Sequence, residues 1–109
     1  MSEMQNNIAS ELKNELKDDP AFDETILVQK IKSAMRELRM RRSYPDSYIE
    51  DDVTKDMENY YSTIMNVARF DYNQRGVEGE STHTEKGISR TYADREKLWM
   101  GVHAFVKVF

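Results

Sequence analysis

The chain has 109 residues with a formal net charge of −4, and 39% of its residues are hydrophobic while 33% are charged. A chain of this length forms a single domain with a modest core, and its negative charge does not favour free nucleic acid as a partner. The absence of cysteine excludes disulfides and thiolate metal sites, and the lack of any long apolar run predicts neither a membrane span nor a signal peptide.

The first part of the chain predicts a disordered terminus followed by one short helix. Residues 1–7 are expected to be disordered. Ile8, Leu12 and Leu16 then follow at the i, i+4, i+8 spacing of an apolar helix face. Pro20 ends this helix, because proline disfavours helical backbone at the residue before it.

A longer helix is predicted from about Glu24 to Arg41. Asp23 is suited to cap its N-terminus, and apolar residues recur along it at helical spacing. Residues 43–46 read Ser-Tyr-Pro-Asp, which is a turn signal. This turn separates the helix from the next one.

A second long helix is predicted from Ile49 to about Asn73, and Gly76 lies just past its end, where glycine is common. Its apolar residues again follow steps of three and four. Four aromatic side chains on this helix cannot all share one face, so at least one is predicted to project as an interface contact. These are Tyr60, Tyr61, Phe70 and Tyr72.

The rest of the chain predicts two arms. Residues 75–92 are polar, hold three of the four glycines and lack helical periodicity, which predicts a long loop or a loose hairpin that is usually functional in a small domain. Residues 94–109 are hydrophobic and partly alternating, which predicts a short strand or an extended arm.

The fold class is therefore mainly α: a small bundle of two long helices and a short N-terminal helix. It forms one domain over residues 1–109, with its helical body at 24–74.

Candidate catalytic chemistry is sparse. His83 lies near Glu78, Glu80 and Glu85, but the spacing matches no metal-ligand template. The nearby glycines lack the Lys and Ser/Thr residues of a phosphate loop. We therefore predict no enzyme activity, no metal and no cofactor.

Charge is segmented along the chain. Residues 30–42 hold six basic side chains against Glu37 alone, between acidic segments at 1–24 and 46–58. The favoured interpretation is a solvated helix face whose cations form ion pairs within the chain or between subunits. The alternative is a DNA-binding or packaging accessory protein whose basic helix contacts phosphates. The six residues are Lys30, Lys32, Arg36, Arg39, Arg41 and Arg42.

A family signature is visible in the glycine-containing segment. The stretch from Gly76 to Tyr92 reads GVEGESTHTEKGISRTY. It resembles the G-x-E-G-E-x-S-H-S-E-N-G-I-x-R-x-Y stretch of small head–tail connector proteins of tailed bacteriophages, which are often labelled as DNA-packaging or head-completion proteins. It departs from that stretch at Thr82 and Thr84, where serines are usual, and at Lys86, where asparagine is common.

The surrounding sequence is similar to the same family over roughly residues 24–109. A basic helix ends at 42–45 in Arg-Ser-Tyr-Pro, a helix rich in Asp and Tyr follows at 51–72, and a hydrophobic tail comes last. The tail lacks the proline that the family would place shortly before Leu98.

The resemblance implies a non-enzymatic structural subunit of the virion at the head–tail junction, encoded by a phage or a prophage. Such subunits form a ring of about twelve copies by heterologous contacts. The ring docks beneath the portal protein, extends the DNA channel and offers a platform to stopper or tail-completion proteins. DNA would pass through without sequence-specific binding, no membrane would be involved, and assembly would take place in the host bacterial cytoplasm after DNA packaging.

Both arms are predicted to contact a neighbouring subunit or the portal. Charged loop side chains would fix the register of the contact, and the arm would bury apolar area worth about 25 cal/mol per Å². The loop residues are Gly76, Glu78, Gly79, Glu80, His83, Glu85, Gly87, Arg90 and Tyr92. The arm residues are Leu98, Trp99, Phe105 and Phe109.

Overall fold

The structure is a computed structural model that describes residues 3–74 and 93–104. Four helices lie in the first range, and no strand occurs in either range. This confirms the prediction of a mainly α, small helical bundle. The helices are α1 (Glu3–Leu16), α2 (Glu24–Arg42), α3 (Glu50–Glu58) and α4 (Tyr61–Asn73).

Helix α1 begins earlier than the sequence predicted. Residues 3–7 are helical rather than disordered, and Met4 and Gln5 are buried. Met4 extends the apolar stripe of Ile8 and Leu12 by one turn, so its burial favours helix over a disordered terminus. The predicted end of the helix is confirmed, since α1 stops at Leu16, before Pro20.

Helix α2 forms as its local signals predict. The side chain of Asp23 accepts a hydrogen bond from the Ile26 backbone N–H at 3.2 Å, which caps the first turn. The apolar stripe is fully buried and comprises Leu27, Ile31, Ala34 and Leu38. At the other end Ser43 adopts a left-handed conformation with φ of 50°, and its N–H bonds to the Arg39 carbonyl.

The predicted continuous helix from Ile49 to Asn73 is wrong at one point, because α3 and α4 are separated by Asn59 and Tyr60. The N–H of Asn59 bonds to the Asp56 carbonyl and the N–H of Tyr60 to the Met57 carbonyl, which tightens the last turn of α3. No proline or glycine marks this site, and the apolar periodicity continues through it, so the sequence pattern carried no sign of the break.

The core lies between α2 and α4, and α1 packs against both. From α4 it receives Ile64, Val67, Ala68 and Tyr72. The Tyr72 hydroxyl accepts a hydrogen bond from the Asp23 N–H at 3.0 Å, which fixes the start of α2 against the end of α4. At the outer edge of the bundle, Tyr61 donates to Glu11 at 2.6 Å; burial and this hydrogen bond raise the pKa of Tyr61 to about 12.

At least one of the four aromatic side chains between residues 60 and 72 was predicted to project from the helix, but none of them is exposed. Tyr72 is buried, while Tyr60, Tyr61 and Phe70 are each half-buried. The break before α4 places Tyr60 outside regular helix, which relieves the conflict between its direction and that of Tyr61. The exposed large apolar side chains of the described residues are instead Met40, Ile49 and Met100.

The C-terminal segment folds onto the bundle. Residues 93–97 are helical and 98–101 form a turn, so the prediction of a strand or an extended arm over 94–109 is wrong for residues 94–101. Trp99 is only 2% exposed and belongs to the core. A buried tryptophan side chain contributes a large apolar area, which holds the segment on the body.

Within the described residues, no helix is both long and apolar enough to cross a membrane.

Candidate interaction site

Three of the six cations of the predicted basic helix pair with acids of the same chain. Arg39 contacts Glu50 at 2.7 Å, Arg41 contacts Glu37 and Glu96 at 2.8 Å, and Arg42 contacts Asp56 at 2.9 Å. The favoured interpretation of internal ion pairs is confirmed for these three. Lys30, Lys32 and Arg36 form no ion pair with any of the residues that the structure describes.

The first polar cluster, here called the Glu37 cluster, joins α2, α4 and the C-terminal segment. It consists of Glu37, Arg41, Asp71, Arg95 and Glu96. Arg95 is its centre: it donates to Glu37 at 2.7 Å and to Asp71 at 2.8 Å, with 23% of its side chain exposed. Charge-assisted hydrogen bonds in such a half-buried place are stronger than those on an open surface.

The electrostatics of the Glu37 cluster favour the ionised form of Glu37. Burial raises the pKa of Glu37, but the hydrogen bonds that it accepts from Arg95 and Arg41 outweigh burial, and the net pKa lies below its usual value. Hydrogen bonds to Asp71 and Glu37 raise the pKa of Arg95 further above its ordinary range. The Arg41 guanidinium also lies over the Trp99 ring, 4.7 Å from its centroid, so the cluster covers the buried indole.

The second polar cluster, here called the Asp56 cluster, joins the end of α2 to α3. Arg42 holds Asp56 through two hydrogen bonds of 2.9 Å, and the Tyr44 hydroxyl donates to the same carboxylate at 2.8 Å. Burial raises the pKa of Asp56, but these donors lower it by more. Burial and the bond to Asp56 both raise the pKa of Tyr44.

Arg42 also connects the Asp56 cluster to neighbouring elements. Its guanidinium lies 5.1 Å from the centroid of the Tyr60 ring, beside the break between α3 and α4. A third hydrogen bond, 2.6 Å long, goes to the backbone carbonyl of His103. The two clusters therefore attach both ends of the segment 93–104 to the helical body.

The Glu37 cluster also fixes where the predicted loop leaves and rejoins the body. Asp71 lies four residues before the segment 75–92, and Arg95 lies three residues after it. Arg95 pairs with Asp71 and also donates a hydrogen bond to Glu37. These contacts hold together the parts of the chain that come just before and just after the segment 75–92. Sequence reasoning missed this arrangement, because a pair 24 residues apart and a pair 58 residues apart leave no local pattern.

The predicted interaction residues fall into two groups. All nine loop residues, from Gly76 to Tyr92, lie outside the described residues, as do Phe105 and Phe109. Leu98 packs against the core and Trp99 is part of it. The prediction that Trp99 reaches a neighbour is therefore wrong, since its own chain buries it.

A cleft of about 290 Å³ opens between α1, α2 and α3. Its α2 wall carries cations beside an apolar floor, and its mouth is open to solvent. The lining residues are Met4, Gln5, Lys32, Met35, Arg36, Arg39, Glu50, Val53, Thr54 and Met57. The described residues contain no group of His, Cys, Asp or Glu side chains that could hold a metal ion.

No family model, no curated protein and no solved structure matches the chain.

Proposed function

We propose that the protein is a structural subunit of a phage head–tail connector ring, which docks beneath the portal, extends the DNA channel and joins head to tail after packaging. The observation that carries the proposal is the seventeen-residue resemblance from Gly76 to Tyr92. In this proposal the helical body is a rigid support, and the segment 75–92 contacts a neighbouring subunit or the portal.

The geometry around that segment supports such a role. A loop that recognises a partner works best when its ends are held on rigid elements, because less freedom is then lost on binding. The ion pair of Asp71 with Arg95 supplies this support at 2.8 Å. The Arg-Ser-Tyr-Pro stretch at 42–45 also has a structural role, since Arg42 and Tyr44 both bind Asp56.

The test is attachment of the purified protein to portal-bearing heads, measured by co-sedimentation. We expect wild-type protein to attach in stoichiometric amounts. Arg90→Glu should reduce attachment at least tenfold, because a charge pair at an interface becomes a repulsion. Lys86→Glu is the matched control: it makes the same charge change in the same segment, at a position where the sequence departs from the family.

Two results would contradict the proposal. One is a failure of wild-type protein to attach to the heads, and the other is equal attachment by Arg90→Glu and Lys86→Glu. Truncation should be limited to residues 105–109, because removing Leu98 and Trp99 would also remove part of the core. The shorter deletion tests the arm without unfolding the body.

A DNA-binding accessory role through the basic helix is the alternative. It has less support, because Arg39, Arg41 and Arg42 are already neutralised by acids of the same chain. It would rest on Lys30, Lys32 and Arg36.

A further inference from the structure

The cleft between α1, α2 and α3 has two matched walls. On α2 the lining positions are Lys32, Met35, Arg36 and Arg39, and on α3 they are Glu50, Val53, Thr54 and Met57. Both sets have the i, i+3, i+4, i+7 spacing of one helix face. Met4 and Gln5 of α1 complete the lining.

The floor of the cleft is rich in methionine. Met4 and Met57 are buried, and Met35 is half-buried. Methionine is flexible and polarisable, so such a floor adapts to small apolar groups. The cleft therefore suits a ligand that inserts a small apolar side chain rather than a wholly polar ligand.

The rim of the cleft carries unbalanced positive charge. Glu50 engages Arg39 at 2.7 Å at one end of the cleft. Lys32 and Arg36, however, have no acidic partner among the described residues. An occupant with two or more carboxylates beside a small apolar tip would complement both the floor and the rim.

The same chain presents such a segment in the turn between α1 and α2, here called the acidic turn (residues 17–24). Four acids and one lysine lie in it, with Pro20 and Ala21 exposed at its tip. The turn is preformed: Asp19 accepts hydrogen bonds from the backbone N–H groups of Ala21 and Phe22, each at 2.9 Å. Its acids are Asp18, Asp19, Asp23 and Glu24.

The acidic turn cannot fill the cleft of its own chain. It lies at the start of α2, whereas Lys32 and Arg36 lie further along the same helix. At 1.5 Å per residue, Asp23 and Arg36 are about 20 Å apart along one rigid rod. A contact between turn and cleft therefore requires two copies, and it joins different surfaces of each.

We propose that the acidic turn of one copy docks in the cleft of a second copy, with Pro20 and Ala21 above the methionines and Asp18 and Asp19 beside Lys32 and Arg36. Such a heterologous contact repeats head to tail and closes into a ring when the rotation allows. This inference deepens the proposed connector function and rests on it for the meaning of the ring.

Disulfide trapping tests the contact directly, because the native chain has no cysteine. The double variant Ala21→Cys, Thr54→Cys places one thiol in the turn and one in the cleft. Under mild oxidation at millimolar protein and low salt, we expect a ladder of covalent dimers, trimers and larger species. The control Ala21→Cys, Ser62→Cys moves the second thiol to an exposed position on α4 and should give dimers at most.

Charge reversal in the trapping background supplies the second arm of the test. Lys32→Glu with Arg36→Glu should lower the yield of trimers and larger species at least tenfold, and so should Asp18→Lys with Asp19→Lys. Combining all four changes should restore the ladder, because every turn and every cleft is then complementary again. Lys30→Glu with Lys55→Glu makes the same charge change outside the cleft and should leave the yield unchanged.

The outcomes separate this contact from the proposed function. If the turn–cleft variant gives no more ladder than its control, or if the fourfold reversal does not rescue the yield, the contact is wrong. Should wild-type protein still attach to portal-bearing heads in that case, the connector proposal stands with a different ring interface. A ladder without attachment to heads would instead support self-association and contradict the connector function.

Discussion

At the residue scale, Glu37 connects parts of the chain that are distant in sequence. It accepts hydrogen bonds from Arg41 on its own helix and from Arg95 after the segment 75–92. The carboxylate is useful to the fold only while it is ionised. Because its pKa is lowered on folding, the contribution of Glu37 to stability must depend on pH.

The direction of this dependence can be stated. A carboxylate with a lowered folded pKa stabilises the fold above its unfolded pKa, which is 4.5 for Glu37 and 3.8 for Asp56, and loses that contribution as pH falls through the folded pKa. We therefore expect the free energy of unfolding in urea to decline as pH falls below about 4.5. Glu37→Gln should flatten this decline.

The matched control for this prediction is Glu58→Gln, which changes an exposed glutamate of α3 that has no ion pair within the described residues. It should keep the wild-type slope. A Glu37→Gln variant whose stability falls as steeply as that of the wild type between pH 5 and pH 2 would show that the Glu37 cluster does not control acid stability.

Residue-level features were predictable only where their causes are local. Asp23 was correctly predicted to cap α2. Its side chain accepts a hydrogen bond from the backbone N–H of Ile26, only three residues further along the chain. The bond from Arg95 to Glu37 joins residues 58 positions apart. Many acids in this chain could have satisfied Arg95, so only the packed structure selects Glu37 and Asp71.

At the scale of elements, α1 is part of the core rather than an appendage. Ile8 and Leu12 have no exposed surface. The helix is also tied to α4 by hydrogen bonds from Tyr61 to Glu11 and from Arg69 to Glu15. The sequence indicated the apolar stripe, but the helical body was predicted to begin only at residue 24.

We expect Leu12→Ala to lower the free energy of unfolding by about 2–5 kcal/mol, which is the usual range for a large-to-small change in a closed core. Asn14→Ala changes an exposed position of the same helix and should alter stability by less than about 0.5 kcal/mol. Chemical denaturation of the two variants measures both values. Equal stabilities would mean that α1 does not pack against the body in solution.

The break between α3 and α4 and the fold of the C-terminal segment show the limit of periodicity. Apolar spacing reports which residues face a core, and it continues through Asn59 and Tyr60 without interruption. It does not show whether the backbone hydrogen bonds of a helix continue at one particular residue. Likewise, alternation in the tail suggested extended structure, whereas the burial of Trp99 determines the conformation of residues 93–101.

At the scale of the whole molecule, the distribution of charge limits the possible partners. The net charge is −4, and three arginines of the basic helix are occupied by internal acids. The sequence predicted the segmentation of charge correctly, but not which cations stay available. Among the described residues, the cations of this helix without an ion pair are Lys30, Lys32 and Arg36, and the last two line the cleft.

This arrangement predicts weak binding to DNA. Micromolar protein should not retard a duplex in a low-salt gel shift, because only three cations of the basic helix lack an acidic partner among the described residues, which is too few to release many counterions. Lys30→Glu, Lys32→Glu and Arg36→Glu provide the comparison. If the wild type binds with a steep salt dependence and the triple variant does not, the accessory DNA-binding function is favoured over the connector function.

The ion pair of Asp71 with Arg95 also bears on how this protein can diverge. This ion pair holds the residues on both sides of the segment 75–92 against the helical body. Insertions and substitutions within that segment therefore do not have to shift the position of α4 relative to Trp99. The sequence between Asp71 and Arg95 and the helical body can therefore change under separate selective pressures, with this ion pair as a fixed boundary. Under the proposed connector function, a change of partner would require changes in this one segment alone, while the folding stability of the helical body stays the same.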